Sequence, residues 1–196
     1  LNRNKSIMSQ VENISILFNN DNINYVFLKG VALLIYRPSD FLSQRMLGDI
    51  DILVSMEDIK KANKILMANG YDNLTNKNFF LKKGLDFKSN RHLERLVNKN
   101  YIAAVELHSE LLRDNFSKIL PSPQVLLTKN KINNLFYIPS SETIWEHAIL
   151  DWQINDRGYY YNRLSLKSVV DIKIIEPTNH KLIIEKKSKE IKHFYS

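Results

Sequence analysis

The chain has 196 residues, 44% of them hydrophobic and 25% charged, which suits one globular domain or a domain with a small helical appendage. It has no cysteine, which excludes disulfides and thiolate metal sites and suits a reducing cytoplasm, and no run reaches the roughly 18–20 apolar residues of a membrane span. Lys and Arg number 28 against 21 Asp and Glu, a net charge of +7 that favours polyanionic partners such as nucleotides or RNA. Leu1 to Gln10 is polar and basic and lacks the apolar core of a secretory signal.

Ser6 to Phe18 keeps a helical period through Ile7, Val11, Ile14 and Leu17, and Asn19 to Asn22 ends it. Tyr25 to Leu28 reads as a strand that runs through Lys29-Gly30 into a helix from Val31 to Tyr36. A glycine at a strand-to-helix junction lets backbone N–H groups approach a phosphate, with Lys29 as a point charge, or it serves only as a turn. Arg37-Pro38-Ser39-Asp40 breaks the helix, and a loop leads to Arg45. Arg45 stands four residues before Asp49, where its planar fork could meet a triphosphate or pair with a carboxylate.

Gly48 then introduces a strand over Ile50 to Val54. Side chains alternate on a strand, so Asp49 and Asp51 share one face, with Cα atoms roughly 6.5 Å apart, while Ile50 and Ile52 face a core. Two parallel carboxylates at a strand end either hold a hard divalent cation or form a solvated edge. Ser55 is a good cap for a helix whose first turn holds Glu57 and Asp58. Its buried face is Ile59, Ala62, Ile65 and Leu66, and Asn69-Gly70 stops it.

Phe79 to Leu81 is a candidate short strand. Between Lys77 and Lys99 lie seven basic residues, Arg95 among them, against Asp86 and Glu94, which makes either a phosphate-binding rim or a solvated loop. His92 to Val97 and Tyr101 to His108 read as a β-hairpin around a three-residue turn, Asn98-Lys99-Asn100. The period of two then puts Glu106 and His108 on one face, with Glu106 a candidate third carboxylate and His108 a general base or a supporting partner.

Leu111 to Phe116 has some helical character, and Pro121 and Pro123 mark a boundary. The expected division is a catalytic domain over 1–118 and a small, mainly helical region over 119–196. Leu135 to Ile138 is a short extended piece, and Ser141 caps a helix from Glu142 to about Ile154. His147 and Asp151 stand four apart on it, a spacing that serves a metal pair or a structural pair. Tyr159 to Tyr161 either stack on bases or pack a helix. Arg163 to Ile175 is a further helix, with Leu166, Val169, Val170, Ile172 and Ile174 partly buried, and Pro177 stops it. The lysine-rich tail from Lys181 reads as a solvated amphipathic helix.

The order Lys29-Gly30, Arg45, Asp49-Ile50-Asp51, Val105-Glu106-Leu107-His108 resembles the nucleotidyltransferase superfamily with the polymerase-β-like fold. It looks closest to a bacterial branch of poorly characterised nucleotidyltransferases, over about residues 20 to 112 and more loosely to about 175. The resemblance implies an α/β (α+β) domain with a mixed, mostly antiparallel sheet and flanking helices, followed by a helical region. It also implies transfer of a nucleoside monophosphate from an NTP, such as ATP, to an acceptor, with Mg²⁺ or Mn²⁺ and release of pyrophosphate. Asp49 and Asp51 would be the metal pair, Glu106 the third catalytic carboxylate, and Lys29, Gly30 and Arg45 the triphosphate contacts. Asp171 aligns with a helical aspartate of that branch. The chain has Gly30-Val31 where the superfamily turn is Gly-Ser or Gly-Gly, so a hydroxyl that would touch the triphosphate is absent. The acceptor is open among a small molecule, a protein and RNA. A catalytically inactive nucleotide- or partner-binding module and a metal-dependent phosphohydrolase are the alternatives on the same residues.

Overall fold

The computed structural model describes residues 2–38, 45–73 and 92–190. Helix α1 (Asn2–Asn20) buries Ile7, Val11, Ile14 and Phe18 completely, each contributing about 1.5–3 kcal/mol through removal of apolar surface from water. Its polar residues are used as well. Gln10 Nε2 donates to Ala103 O at 3.0 Å and to the Tyr71 hydroxyl at 3.2 Å. Burial pushes the phenol pKa of Tyr71 up to about 12, so this buried group stays neutral.

Strand β1 (Tyr25–Phe27) leads directly into α2 (Lys29–Tyr36), and β2 (Ile50–Val54) returns antiparallel to β1. Helix α3 (Ile59–Ala68) follows a turn in which the Ser55 hydroxyl accepts from the Asp58 N–H, and it ends at Gly70, whose φ of 85° is easy for glycine. Strands β3 (Tyr71–Asn73), β4 (Leu96–Asn98) and β5 (Val105–His108) complete a five-stranded sheet of order β1-β2-β5-β4-β3. All neighbours are antiparallel except β2 and β5, which run parallel in the middle. This is the expected mixed, mostly antiparallel sheet with flanking helices. Both central strands are buried along their whole length, as parallel strands covered on two faces must be.

The β4–β5 hairpin differs from the expected tight turn. Leu96 pairs with Val105, so the connection is residues 99–104, with Tyr101 N–H donating to Asn98 O within it. His92 reaches His108 through an isolated bridge. The candidate strand at 79–81 lies outside the described residues.

A 3₁₀ turn (Asp114–Lys118) and α4 (Ser122–Leu127) lead to a small hairpin of β6 (Asn130–Ile132) and β7 (Phe136–Ile138). Helix α5 (Ser141–Leu150) is capped by Ser140, whose hydroxyl accepts from the Thr143 N–H at 3.2 Å; the cap is one residue earlier than the sequence suggested. It gives way to a π-helical segment (Asp151–Asn155), then α6 (Gly158–Tyr161), α7 (Leu166–Ile174) and α8 (His180–Glu190). On α7 the expected burial of Leu166, Val169 and Val170 is overturned, since all three are exposed. The helix instead turns Asp171 inward, because that carboxylate has a largely shielded ion-pair partner in Arg45.

Residues on both sides of the proline-rich stretch share one core, from Ile7 through Ile52 and Leu107 to Leu126, Trp145 and Ile175. Helix α5 lies against α2 and α7, and β7 against β1, so the second half of the chain forms one wall around the ends of β2 and β5. Among the described residues, no helix is long and apolar enough to cross a membrane.

Candidate active site

Parallel pairing of β2 with β5 sets Asp51 directly opposite Glu106 and Leu53 opposite His108. Asp49 precedes β2 by one residue and lines the same cavity, of about 320 Å³, as Asp51 and Glu106. The His108 ring N–H at Nε2 donates to Asp51 Oδ1 at 2.8 Å, and the same nitrogen lies 3.6 Å from Glu106 Oε2. Asp51, Glu106 and His108 each present a ligand atom within 4.8 Å of the others.

Three cations line the cavity, and two of them, Lys29 and Arg95, pair with these carboxylates. Lys29 Nζ lies 3.2 Å from Asp51 Oδ1 and 3.6 Å from Asp151 Oδ2. Lys29 has a φ of 49°, a left-handed conformation that costs a non-glycine residue about 1–2 kcal/mol, at the junction of β1 and α2. Arg95 places Nη2 2.8 Å from Asp49 Oδ2 while its Nε donates to Glu106 Oε1, so one guanidinium spans two of the three carboxylates. The hydrogen bond and charge of Glu106, together with Asp49, push the Arg95 pKa up. Burial opposes charge on Asp51, but the His108 hydrogen bond and the Lys29 charge outweigh it and hold the carboxyl well below the usual range. Asp51 is therefore ionised in the folded protein at neutral pH.

The third cation is Arg45, whose Nε and Nη2 form a two-point pair with Asp171, the shortest contacts being 2.8 Å. Of the two readings open for Arg45, the structure shows the ion pair, although with a helical aspartate and not with the strand carboxylates. Gly30, the second residue of α2, lies beneath that guanidinium. A Cβ there would stand 2.1 Å from Arg45 Nη1 and 2.6 Å from Leu47 Cδ2. Gly30→Ala should therefore destabilise the protein by about 1–3 kcal/mol through overpacking, despite the roughly 1 kcal/mol that alanine gains over glycine within a helix. Chemical denaturation of the purified variant checks the sign.

Helix α5 and its π segment supply the opposite wall. His147 Nε2 lies 3.9 Å from Asp151 Oδ1, and both residues line the cavity. Asn155 Nδ2 donates to Asp151 Oδ1 at 2.5 Å and to Leu111 O at 2.9 Å, which ties that wall to the segment leaving β5. Asp49, Asp51, Glu106, Lys29, Gly30 and Arg45 thus meet in one cavity. Arg95 was visible in the sequence only as part of a basic run. The inward Asp151 had one local signal, its four-residue spacing from His147. Asp171 was marked by the resemblance alone, and nothing in the sequence joined it to Arg45.

The family described as uncharacterised nucleotidyltransferase matches residues 1–183. No curated protein sequence matches. Among solved structures, the chain is similar to the solution structure of the antibiotic-resistance factor ANT(2'')-Ia, at 14% identity and a TM-score of 0.52 over 86% of this chain and 83% of that one. It is similar also to the crystal structure of ANT(2'')-Ia in complex with adenylyl-2''-tobramycin, at 14% identity and a TM-score of 0.53 over 93% of this chain and 91% of that one. At this identity the likeness is one of fold, and the family match covers residues 1–183. The chain belongs to the uncharacterised nucleotidyltransferase family.

Proposed function

We propose that the protein moves a nucleoside monophosphate from an NTP to an acceptor hydroxyl or phosphate, with pyrophosphate leaving. The observation that carries this reading is the register of Asp51 against Glu106 on adjacent parallel strands, in one cavity with Asp49, Lys29 and Arg45. The residues fit a divalent cation such as Mg²⁺ or Mn²⁺, because hard carboxylate oxygens converge with an imidazole and a guanidinium already bridges Asp49 and Glu106. Asp49, Asp51 and Glu106 would hold such ions, which when bound neutralise charge on the reacting phosphate and on the departing pyrophosphate. His108 orients the Asp51 carboxylate through its 2.8 Å hydrogen bond. Glu106 accepts the acceptor proton. Lys29, the Gly30 backbone and Arg45 bind the triphosphate and set it in line, and most of the rate gain comes from that positioning and from fixed charge. Residues 1–118 carry these strand carboxylates and the phosphate turn, and the helical region from 119 closes the cavity.

The acceptor is a small molecule, a protein or RNA. The similar fold of ANT(2'')-Ia, held with a nucleotidylated tobramycin, favours screening small hydroxylated acceptors first, while the net charge of +7 keeps RNA in the screen. Val31 in place of a serine at the turn favours a second reading, a nucleotide- or partner-binding module without turnover. Thermal unfolding with each NTP, with and without Mg²⁺ or Mn²⁺, distinguishes nucleotide binding from its absence. An NTP at a hundred times its Kd should stabilise the protein by about 2.7 kcal/mol, and the shift should require the metal and vanish in Asp49→Ala/Asp51→Ala. A metal-independent response in both proteins would refute the carboxylate site. Product analysis then separates transfer, which links the nucleotide to an acceptor, from hydrolysis, which frees it.

A further inference from the structure

Arg45 is held at both ends by parts of the chain remote in sequence. Asn4 Nδ2, on α1, donates to the Arg45 carbonyl at 2.6 Å, and Arg3 Nε donates to Leu47 O at 3.0 Å, so the backbone of the loop before β2 is fastened to α1. At the other end the Asp171 carboxylate, on α7, takes Nε and Nη2 together. The pair is largely shielded, with side-chain exposures of 13% and 10%. A guanidinium has two edges, and this pairing uses one of them. The remaining nitrogen, Nη1, is laid against the backbone of Gly30, in space that any other residue at position 30 would fill with its Cβ. All three residues line the cavity.

We propose that Asp171 is a positioning residue for nucleotide binding: it fixes the Arg45 fork so that its Nη1 edge meets the β- and γ-phosphates of the NTP over the Gly30 turn. This rests on the nucleotidyl-transfer reading. It gives the helical half of the chain a part in recognising the triphosphate, and it supplies a donor at the turn where Val31 has no hydroxyl to offer. Asp171, three residues before the end of α7, faces inward while its apolar neighbours Val169 and Val170 are exposed, and its pairing with Arg45 accounts for that inversion.

The test is equilibrium binding, with Mg²⁺, of the NTP that stabilises the wild type most and of its NMP, to wild type, Asp171→Asn, Asp171→Glu, Arg45→Lys and Arg45→Lys/Asp171→Asn. Loss of a fixed two-point arginine geometry should weaken NTP about tenfold or more in Asp171→Asn while NMP changes less than about twofold. Asp171→Glu should recover part of the loss, and the double variant should bind NTP no more weakly than Arg45→Lys, because both substitutions remove one interaction. The ratio of NTP to NMP affinity is unaffected by a uniform loss of folded protein, and thermal midpoints identify any variant that does not fold; the glutamate variant then carries the comparison. Equal losses for NTP and NMP, or an unchanged NTP affinity in Asp171→Asn, would overturn the role of Asp171 alone. A wild type that binds NTP no better than NMP would overturn the triphosphate site together with it.

Discussion

Asp51→Asn is expected to slow nucleotidyl transfer by at least about 10³-fold. Asp51 is in contact with both His108 and Lys29, and it faces Glu106 across the central strand pair. The amide keeps the side-chain shape and can still accept from His108, but it removes the negative charge that a divalent cation requires. Stability should change little, by under about 2 kcal/mol, because Lys29 keeps Asp151 as a counter-ion and burial no longer opposes a charge. The depressed pKa of Asp51 has a definite sign for stability. The folded state binds its proton less readily than the unfolded chain, so the Asp51 contribution is present above about pH 4 and is lost as pH falls further. The variant should lack that part of the acid dependence. Pyrophosphate release measured under conditions where wild type turns over, with Mn²⁺ titration alongside, checks both halves. Transfer within about tenfold of wild type would remove the strand carboxylates from the mechanism.

How far the sequence discloses this site depends on how local each part is. The run Asp49-Ile50-Asp51-Ile52-Leu53-Val54 specifies a strand and the facing of its carboxylates by period alone, and β2 lies over Ile50–Val54 as read. Burial departs from the simple alternation, because β2 is the inner strand of a covered sheet and Asp51 is enclosed along with the apolar residues. Glu106 was legible as a strand residue, but its place opposite Asp51 depends on parallel pairing between segments 55 residues apart in a register no local pattern encodes. The hairpin departs from the expected tight turn for a related reason. Asn98-Lys99-Asn100 is a good turn sequence, yet Tyr101 stacks on Tyr71 with ring centroids 6.1 Å apart and its hydroxyl accepts from Asn13. Those contacts keep residues 99–104 out of the ladder. Asp171 was the least legible part, since its partner Arg45 is 126 positions away and Leu166, Val169 and Val170 of its own helix are exposed.

Trp145→Ala should lower global stability by about 3–5 kcal/mol, the loss typical of truncating a large enclosed aromatic side chain. Trp145 is fully buried and sits on α5, the helix that packs on α2 and on α7 at once. Its ring also approaches His180 of α8, with centroids 6.5 Å apart. Removing it opens a cavity where α5 packs on its neighbouring helices, and the same helix carries His147 and leads into Asp151. For a chain of this size, each kcal/mol moves the melting midpoint by about 2–4 °C, so the displacement should be roughly 6–20 °C. The shape of the transition is the more informative result. One core joins residues on both sides of the proline-rich stretch, which favours a single cooperative unit whose whole transition moves. If residues 119–196 fold apart from 1–118, calorimetry would instead split the variant's melting into two steps, with only the helical one displaced. A nucleotide site built from both halves fits the first outcome, because ordering of the Arg45 and Lys29 partners on α7 and the π segment would then be inseparable from folding of the sheet.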